Sequence, residues 1–328
     1  MITLRYLSRD DALAAGAGDF RLAVEDVREA TRLLRAGEAS MVAESVLPTG
    51  ADPREKAYGL AASLGGRYDA AGLKWAMHRA SPRDDLPSIT STTFVNRLSA
   101  GRPLGLVESA LLTRMRTASV TAIAMEMLPR EAIRTVVVLG AGAQAKTHVA
   151  MLQALFPTAR TIRIWNRTRT HRDAMIAECR LPAGPVLEAA DEVPAAVDGA
   201  DVVLCCTTAP EPIVEKAAVH PGRLIVQIGY HEVAFEAIDA SDHVVVDLWG
   251  DFAERSAKSL FQMYRAGRFT PDRVSADLAD LVVGGWRPAD SASVYVSSFG
   301  LNLFDIALAA RVLRRAEAEG IGTVLPFL

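Results

Sequence analysis

The apolar positions of this chain change rhythm along its length, and each rhythm predicts an element. Residues 2–7 alternate like a short strand. Residues 21–35 set Leu22, Val27, Ala30, Leu33 and Leu34 at helical spacing before Gly37 ends the run. Alternation then returns in short lengths, 40–47, 57–64, 72–78, 89–96 and 104–108, parted by T-G-A-D-P, G-G-R-Y-D, S-P-R-D-D and S-A-G-R-P. Turn-forming residues between period-two runs predict an antiparallel, hairpin-rich sheet. Residues 109–128 hold no Gly or Pro and are rich in Ala, Leu and Met, which predicts a long helix leading into the next part of the chain.

Beyond residue 134 the pattern becomes continuous apolar runs separated by helical stretches. Val136, Val137, Val138 and Leu139 form a run suited to a strand covered on both faces, and 161–166, 201–207, 223–228 and 243–247 are strand-like too. Helical patterns fall near 144–155, 169–179 and 188–197, with others at 252–266 and 274–282. Strands and helices in alternation predict a parallel, doubly wound sheet. Residues 294–300 lead into a final amphipathic helix at 303–319, which comes after that sheet is complete and so packs back on the first part of the chain. The fold class expected is α/β: a Rossmann-type doubly wound sheet over residues 116–302, joined to an α+β domain made of 1–115 with 303–328.

The first strong chemical signal lies where the apolar run at 136–139 meets Gly140, Gly142 and Ala145, the G-x-G-x-x-A spacing. Gly140 permits the tight turn, Gly142 lets backbone N–H groups approach a pyrophosphate, and Ala145 lets the following helix pack closely. The phosphate would sit at that helix's positive end. Length agrees with two domains: 328 residues exceed the roughly 100–200 typical of one. A net charge of −3 gives no general attraction for nucleic acid. Cys179, Cys205 and Cys206 include no C-x-x-C spacing, and the six histidines show no metal-ligand spacing, so no metal is expected. The N-terminus has no export pattern and no apolar run approaches membrane-spanning length, which together with the cysteines predicts a cytoplasmic protein.

With G-L-K-W at 72–75, T-R-M-R-T-A-S at 113–119, V-V-V-L-G-A-G-A-Q-A from 136 and S-F-G-L-N-L-F-D-I-A-L-A at 298–309, the chain resembles the ornithine cyclodeaminase/mu-crystallin family over nearly its whole length. The resemblance implies a homodimer whose first domain forms the intersubunit sheet and the substrate floor, and a Rossmann domain binding NAD(H) or NADP(H). Family chemistry is hydride transfer at a carbon bonded to nitrogen and carboxylate. Members include cyclodeaminases, alanine dehydrogenases, ketimine reductases and a dehydrogenase of a siderophore precursor. The implied partner is a small carboxylated amine or imine, with neither nucleic acid nor membrane involved.

Such chemistry needs fixed positive charge for a carboxylate and a group that handles a proton. Lys74, between apolar neighbours on a strand, and Arg116, before small residues on the long helix, are the carboxylate candidates; the resemblance supports both. The position where the family often has a further carboxylate-binding arginine holds Glu44, and Tyr230 stands where the cyclodeaminase type has an aspartate. His231 and Glu232 are the nearest proton-handling substitutes, at the carboxyl end of a parallel strand, and His78 is a further substrate contact.

Cofactor contacts are expected from Thr117, Gly140, Gly142, Ala143, Gln144, Thr207, Thr208, Gly229 and Gly300. After the second nucleotide strand, Asn166, Arg167 and Thr168 offer donors and positive charge where an NAD enzyme commonly places an acid, which favours NADP(H) over NAD(H). The activity expected is an NAD(P)-dependent oxidoreductase acting on a C–N bond of an amino acid, a ketimine or an opine-like secondary amine. An ammonia-releasing cyclodeaminase and a non-catalytic NADP(H)-binding protein are the alternatives. Pocket shape is left to the loop at 80–88.

Overall fold

The computed structural model of the protein describes residues 1–52, 54–81 and 86–328, without the side chain of Phe252. The loop at 80–88 therefore lies partly outside the described residues. Two compact units emerge: Met1–Arg116 with Gly300–Leu328, and Thr117–Phe299.

The first unit opens with β1 (Thr3–Leu7), α1 (Arg9–Ala14) and α2 (Phe20–Arg35). Ser8 and Asp11 form a capping box on α1, and the Asp19 carboxylate accepts from the Arg21 and Leu22 N–H groups at the start of α2. The apolar pattern does not suggest α1, although that serine-to-aspartate spacing marks it. Strands β2 (Ala39–Met41), β3 (Ser45–Pro48), β4 (Lys56–Leu64), β5 (Ala70–His78), β6 (Ile89–Arg97) and β7 (Pro103–Glu108) follow. The single strand expected at 40–47 is two. Met41 pairs with Ala62 and Ser45 with Gly59, so the registers slip by one residue and the chain bulges at 42–44. Neighbours among β4–β7 are antiparallel as the turn pattern requires, but β1 pairs parallel to β7, which makes the sheet mixed. α3 (Ala110–Met125) then carries the chain into the second unit.

That unit is a succession of β8 (Thr135–Leu139), α4 (Ala143–Leu155), β9 (Thr161–Trp165), α5 (Arg169–Cys179), β10 (Val186–Ala190), α6 (Val193–Val197), β11 (Val202–Cys205), β12 (Leu224–Gln227), α7 (Phe235–Ala240), β13 (His243–Val246), α8 (Ser259–Arg265), β14 (Val274–Ala276) and β15 (Val294–Ser297). Its eight strands run in the order β10-β9-β8-β11-β12-β15-β13-β14, every pair parallel. The continuous apolar runs are the fully covered strands: β8 past its first residue, β11 and β12 are buried throughout.

Three helical expectations change here. The stretch 188–197 is half strand, because β10 pairs along β9 at the sheet edge and overrides the helix preference of Glu and Ala; only Val193–Val197, started by Pro194, is helical. The stretch 274–282 begins as β14 on β13 and then makes a wide π turn at Asp280–Gly284. Likewise 252–266 is a single turn at Asp251–Glu254 followed by the shorter α8.

The chain returns to the first unit as α9 (Asn302–Glu319) and β16 (Thr323–Pro326), the latter pairing antiparallel with β1. α9 lies on β4 and β5. Gly72 allows that approach, since a Cβ there would stand 2.6 Å from the Phe94 carbonyl oxygen and 3.0 Å from Ile306. The fold is thus α/β: an all-parallel Rossmann-type sheet and a mixed-sheet unit capped by the last helix.

Candidate active site

Each unit holds a polar centre that contains residues expected from the sequence. In the first, β5 alternates, so Lys74 points to the α9 side while Leu73 and Trp75, 42% and 44% exposed, point away. Lys74 is 3% exposed and Arg116, one turn beyond Thr113 on α3, is 9% exposed. Both meet Asp305 of α9, itself 1% exposed: Lys74 Nζ is 2.9 Å and Arg116 Nε 3.4 Å from Asp305 Oδ2. Thr113 Oγ1 donates to Asp305 Oδ1 at 3.1 Å and accepts from Lys74 Nζ at 3.3 Å. Burial alone would raise the Asp305 carboxyl, but Arg116 and Lys74 outweigh it and hold the group ionised below its usual range. Burial, with Arg116 alongside, pulls the Lys74 ammonium down against the attraction of Asp305. Two buried cations therefore share one buried carboxylate, which leaves positive charge for a further anion.

Asp305 is not among the residues expected from the sequence, although a carboxylate inside L-N-L-F-D-I-A-L is a signal that a cation must be close. Gly300, expected at the cofactor, lies against Arg116: its φ is +93°, and a Cβ would stand 1.8 Å from Arg116 Nη1. His78 sits at the end of β5, its ring 4.8 Å from that of Tyr58; burial, then Lys74 and Lys56, lower its pKa and keep it neutral. Thr117, next to Arg116, is buried in α3 and its carbonyl accepts from Thr121 Oγ1.

In the second unit the glycine turn has the geometry a phosphate requires. Gly140 has φ +116°, and a Cβ there would be 2.6 Å from the Cys206 carbonyl oxygen. Gly142 caps α4 with no side-chain hydrogen bond, and a Cβ on it would meet nothing within 4 Å. The glycine is thus not needed for packing within the chain; it leaves open space over the free N–H groups that begin α4 at Ala143 and Gln144, and Ala145 is buried behind them. These residues fit a dinucleotide pyrophosphate. At the end of β9, Asn166 Nδ2 donates to the Thr168 carbonyl, and Arg167 and Thr168 are exposed. Asp191 is held by Arg169 at 3.3 Å and Arg172 at 2.8 Å, whereas Arg167 makes no salt bridge among the described residues.

Beneath the ends of β11 and β12 lies a buried polar network. Glu232 is fully buried; its Oε1 accepts from Thr207 N at 2.8 Å and Thr207 Oγ1 at 3.2 Å, and its Oε2 from Gln227 Nε2 at 3.2 Å. Burial raises its pKa, opposed by Lys258, Thr207 and Gln227. Lys258 Nζ donates to the Ile228 and Gly229 carbonyls at 2.6 and 2.8 Å. Gly229 must be glycine, because a Cβ would lie 2.0 Å from both Glu232 Oε1 and the Thr207 carbonyl oxygen. Thr208 and Tyr230 are exposed on either side.

His231 is tied to this network through Ser259. Gln227 Nε2 reaches the Tyr230 carbonyl at 3.0 Å, which fixes the amide orientation, and also reaches Ser259 Oγ at 2.8 Å. Val233 N donates to the same oxygen at 3.3 Å. Ser259 Oγ lies 3.0 Å from His231 Nδ1, a hydrogen bond in which neutral His231 donates or accepts according to its tautomer. Burial lowers the His231 pKa and favours that neutral form. The described residues contain no cluster of three metal-ligating side chains and no helix long and apolar enough to cross a membrane.

A Rossmann-type unit with an open glycine turn, joined in one chain to a mixed-sheet unit with a buried Lys–Arg–Asp centre, defines the class. Residues 20–320 match the ornithine cyclodeaminase/mu-crystallin family, and the chain belongs to it. It is similar to the N-((2S)-2-amino-2-carboxyethyl)-L-glutamate dehydrogenase of Staphylococcus aureus, with 23% identity over 329 residues covering 98% of this chain and 97% of that protein. In fold it is similar to the Δ1-pyrroline-2-carboxylate reductase of Thermococcus litoralis, solved with NADH and L-proline, at a TM-score of 0.89 with 21% identity over 97% of this chain and 99% of that one. It is also similar to a dimeric archaeal alanine dehydrogenase with bound NAD, at a TM-score of 0.87 with 20% identity over 100% of both chains.

Proposed function

We propose that the protein is an NAD(P)-dependent oxidoreductase that moves a hydride at a carbon bonded to both nitrogen and carboxylate, in an amino acid, a cyclic or linear imine acid, or an opine-like secondary amine. The observation that carries this reading is the pair of buried cations, Lys74 and Arg116, on the single carboxylate of Asp305. A substrate carboxylate takes up their remaining charge, Arg116 through two parallel N–H groups and Lys74 as a point charge. When bound at the Gly140–Gly142 turn, the nicotinamide dinucleotide gives or accepts the hydride. His231 is the group that gives a proton to the substrate nitrogen as imidazolium or takes one from it as neutral imidazole. Glu232, fully buried, has a positioning role: it fixes Thr207 and the Gly229–His231 loop. Arg167, without a carboxylate partner among the described residues, supports NADP(H) over NAD(H) through a 2′-phosphate. Tyr230, a neutral group at the family's aspartate position, weighs against a cyclodeaminase.

The outward face of the mixed sheet, with Leu73 and Trp75, is read as the surface that a second copy covers in a homodimer. The reading is tested by following nicotinamide absorbance with purified protein, both cofactors, and a panel of 2-oxo acids with ammonium, cyclic imine acids and amino acids. Net oxidation or reduction is expected. Ammonia and a cyclic product without net absorbance change would replace the reading by a cyclodeaminase, and bound cofactor with no hydride moved by any substrate would replace it by a binding protein.

A further inference from the structure

The carboxylate of Glu44 is left over when the first unit's charges are paired. It stands in the bulge between β2 and β3, one residue before Ser45, which pairs with Gly59; the next residue along β4, Leu60, pairs with Lys74. The bulge is pinned over the start of α9, since Asn302 Nδ2 donates to the Val42 carbonyl at 2.9 Å, and Asp305 lies one turn further along the same helix. Glu44 is half-buried and makes no hydrogen bond or salt bridge among the described residues. It is nonetheless within the field of Lys74, Lys56 and Arg116, whose attraction opposes the rise in its pKa that burial produces. A half-buried carboxylate near the anchoring cations, yet bonded to none of them, carries a desolvation penalty that those cations offset only in part.

We propose that Glu44 is a specificity-determining residue: it receives a cationic nitrogen of the substrate and excludes a second carboxylate. The proposal rests on the reading of Lys74 and Arg116 as the carboxylate anchor. With that anchor filled, the site presents one carboxylate of its own to the remainder of the bound molecule. A substrate remainder bearing an ammonium or guanidinium group meets opposite charge, an apolar remainder meets a partly desolvated carboxylate, and a dicarboxylate meets like charge, the least favourable case. The preference is for monocarboxylates with a cationic nitrogen over dicarboxylates of similar length. Because Glu44 is only half-buried, the preference shrinks as salt rises.

The test uses the full-length protein with its dinucleotide and three probes of similar length, L-ornithine, L-norvaline and L-glutamate, measuring both binding by calorimetry and turnover. Wild type, Glu44→Gln and Glu44→Arg are compared after thermal melts establish that each is folded. The wild type is expected to bind ornithine over glutamate, Glu44→Gln to lose most of that preference, and Glu44→Arg to invert it, a swing on the order of 100-fold across the series. An ornithine-to-glutamate ratio that is the same in all three proteins would overturn the proposal, whether or not they turn substrate over. Selectivity in binding that follows residue 44 without turnover of these probes would leave this proposal standing, and the oxidoreductase reading would then fall only if no substrate of the wider panel moves a hydride.

Discussion

Replacing Gly300 by alanine adds a single methyl group, and the structure says where its effect falls. The backbone there has φ +93°, outside what an L side chain adopts easily, and the new Cβ would lie 1.8 Å from Arg116 Nη1. Real Cβ contacts do not fall below 3.0 Å, so the guanidinium must withdraw by more than an ångström. The backbone effect is about 1–2 kcal/mol. Misplacement of a positioning group by about 1 Å can lower the rate about 100-fold, equivalent to roughly 2.7 kcal/mol in the barrier. Gly37→Ala separates the two effects, because Gly37 has φ +75° and a Cβ added there would meet nothing within 4 Å. Both variants are expected to melt a few degrees below wild type, while only Gly300→Ala loses about two orders of magnitude in kcat/KM for the best substrate of the panel. A Gly300→Ala enzyme with kcat/KM within about threefold of the Gly37→Ala enzyme would refute the placement of Arg116 at the substrate.

Three further outcomes follow from other parts of the molecule. Asp305→Asn leaves Lys74 and Arg116 without their counter-charge and should destabilise the protein by about 3–5 kcal/mol; acetate should raise the melting temperature of this variant more than that of wild type, and an equal response would contradict the surplus charge assigned to the pair. His148 is fully buried between Thr121 Oγ1 and the Gln144 carbonyl, and burial pulls its pKa from 6.5 to about 4. A depressed pKa contributes stability that is present above the unfolded value and lost as pH falls through the folded one. Between pH 6.5 and 4, wild type should thus lose roughly 3 kcal/mol that a His148→Gln variant does not, read by urea titration at several pH values, and identical slopes would count against it. Arg167→Asp should lower the ratio of kcat/KM for NADPH over NADH by at least about tenfold; an unchanged ratio removes Arg167 from the 2′-phosphate site.

The parts of the fold legible in the sequence are those in which one local pattern decides the outcome. The covered run at β8 and the glycines after it announce a strand, a turn and an uncapped helix, because the residues that make that geometry are contiguous. Lys74 could be singled out because it stands between apolar neighbours on a strand and matches the substrate-binding lysine of the family it resembles. Its partner could not be read the same way: the order of elements says that the last helix packs back on the first part of the chain, but nothing local says that α9 meets β5 or that Asp305 is the residue facing Lys74. The same limit hides the hydrogen bond between Ser259 and His231, which joins a helix start to a strand-end loop and holds the histidine ring. Where local pattern did mislead, pairing had overruled propensity. Val186–Ala190 carries helix-favouring Leu, Glu and Ala but has β9 beside it, and Val274–Ala276 has β13.

The central claim is that this chain joins a nicotinamide dinucleotide to a carbon held through its carboxylate by Lys74 and Arg116. Deuterium transfer tests it most directly: the protein is given the reduced cofactor deuterated at C4 of the ring with each imine or oxo acid of the panel, and the products are read by mass spectrometry. The account predicts deuterium at the carbon between nitrogen and carboxylate, and its loss in Lys74→Met and Arg116→Met variants that still bind the cofactor. Cofactor bound by the wild type with no deuterium in any product, or transfer undiminished in both variants, would contradict it.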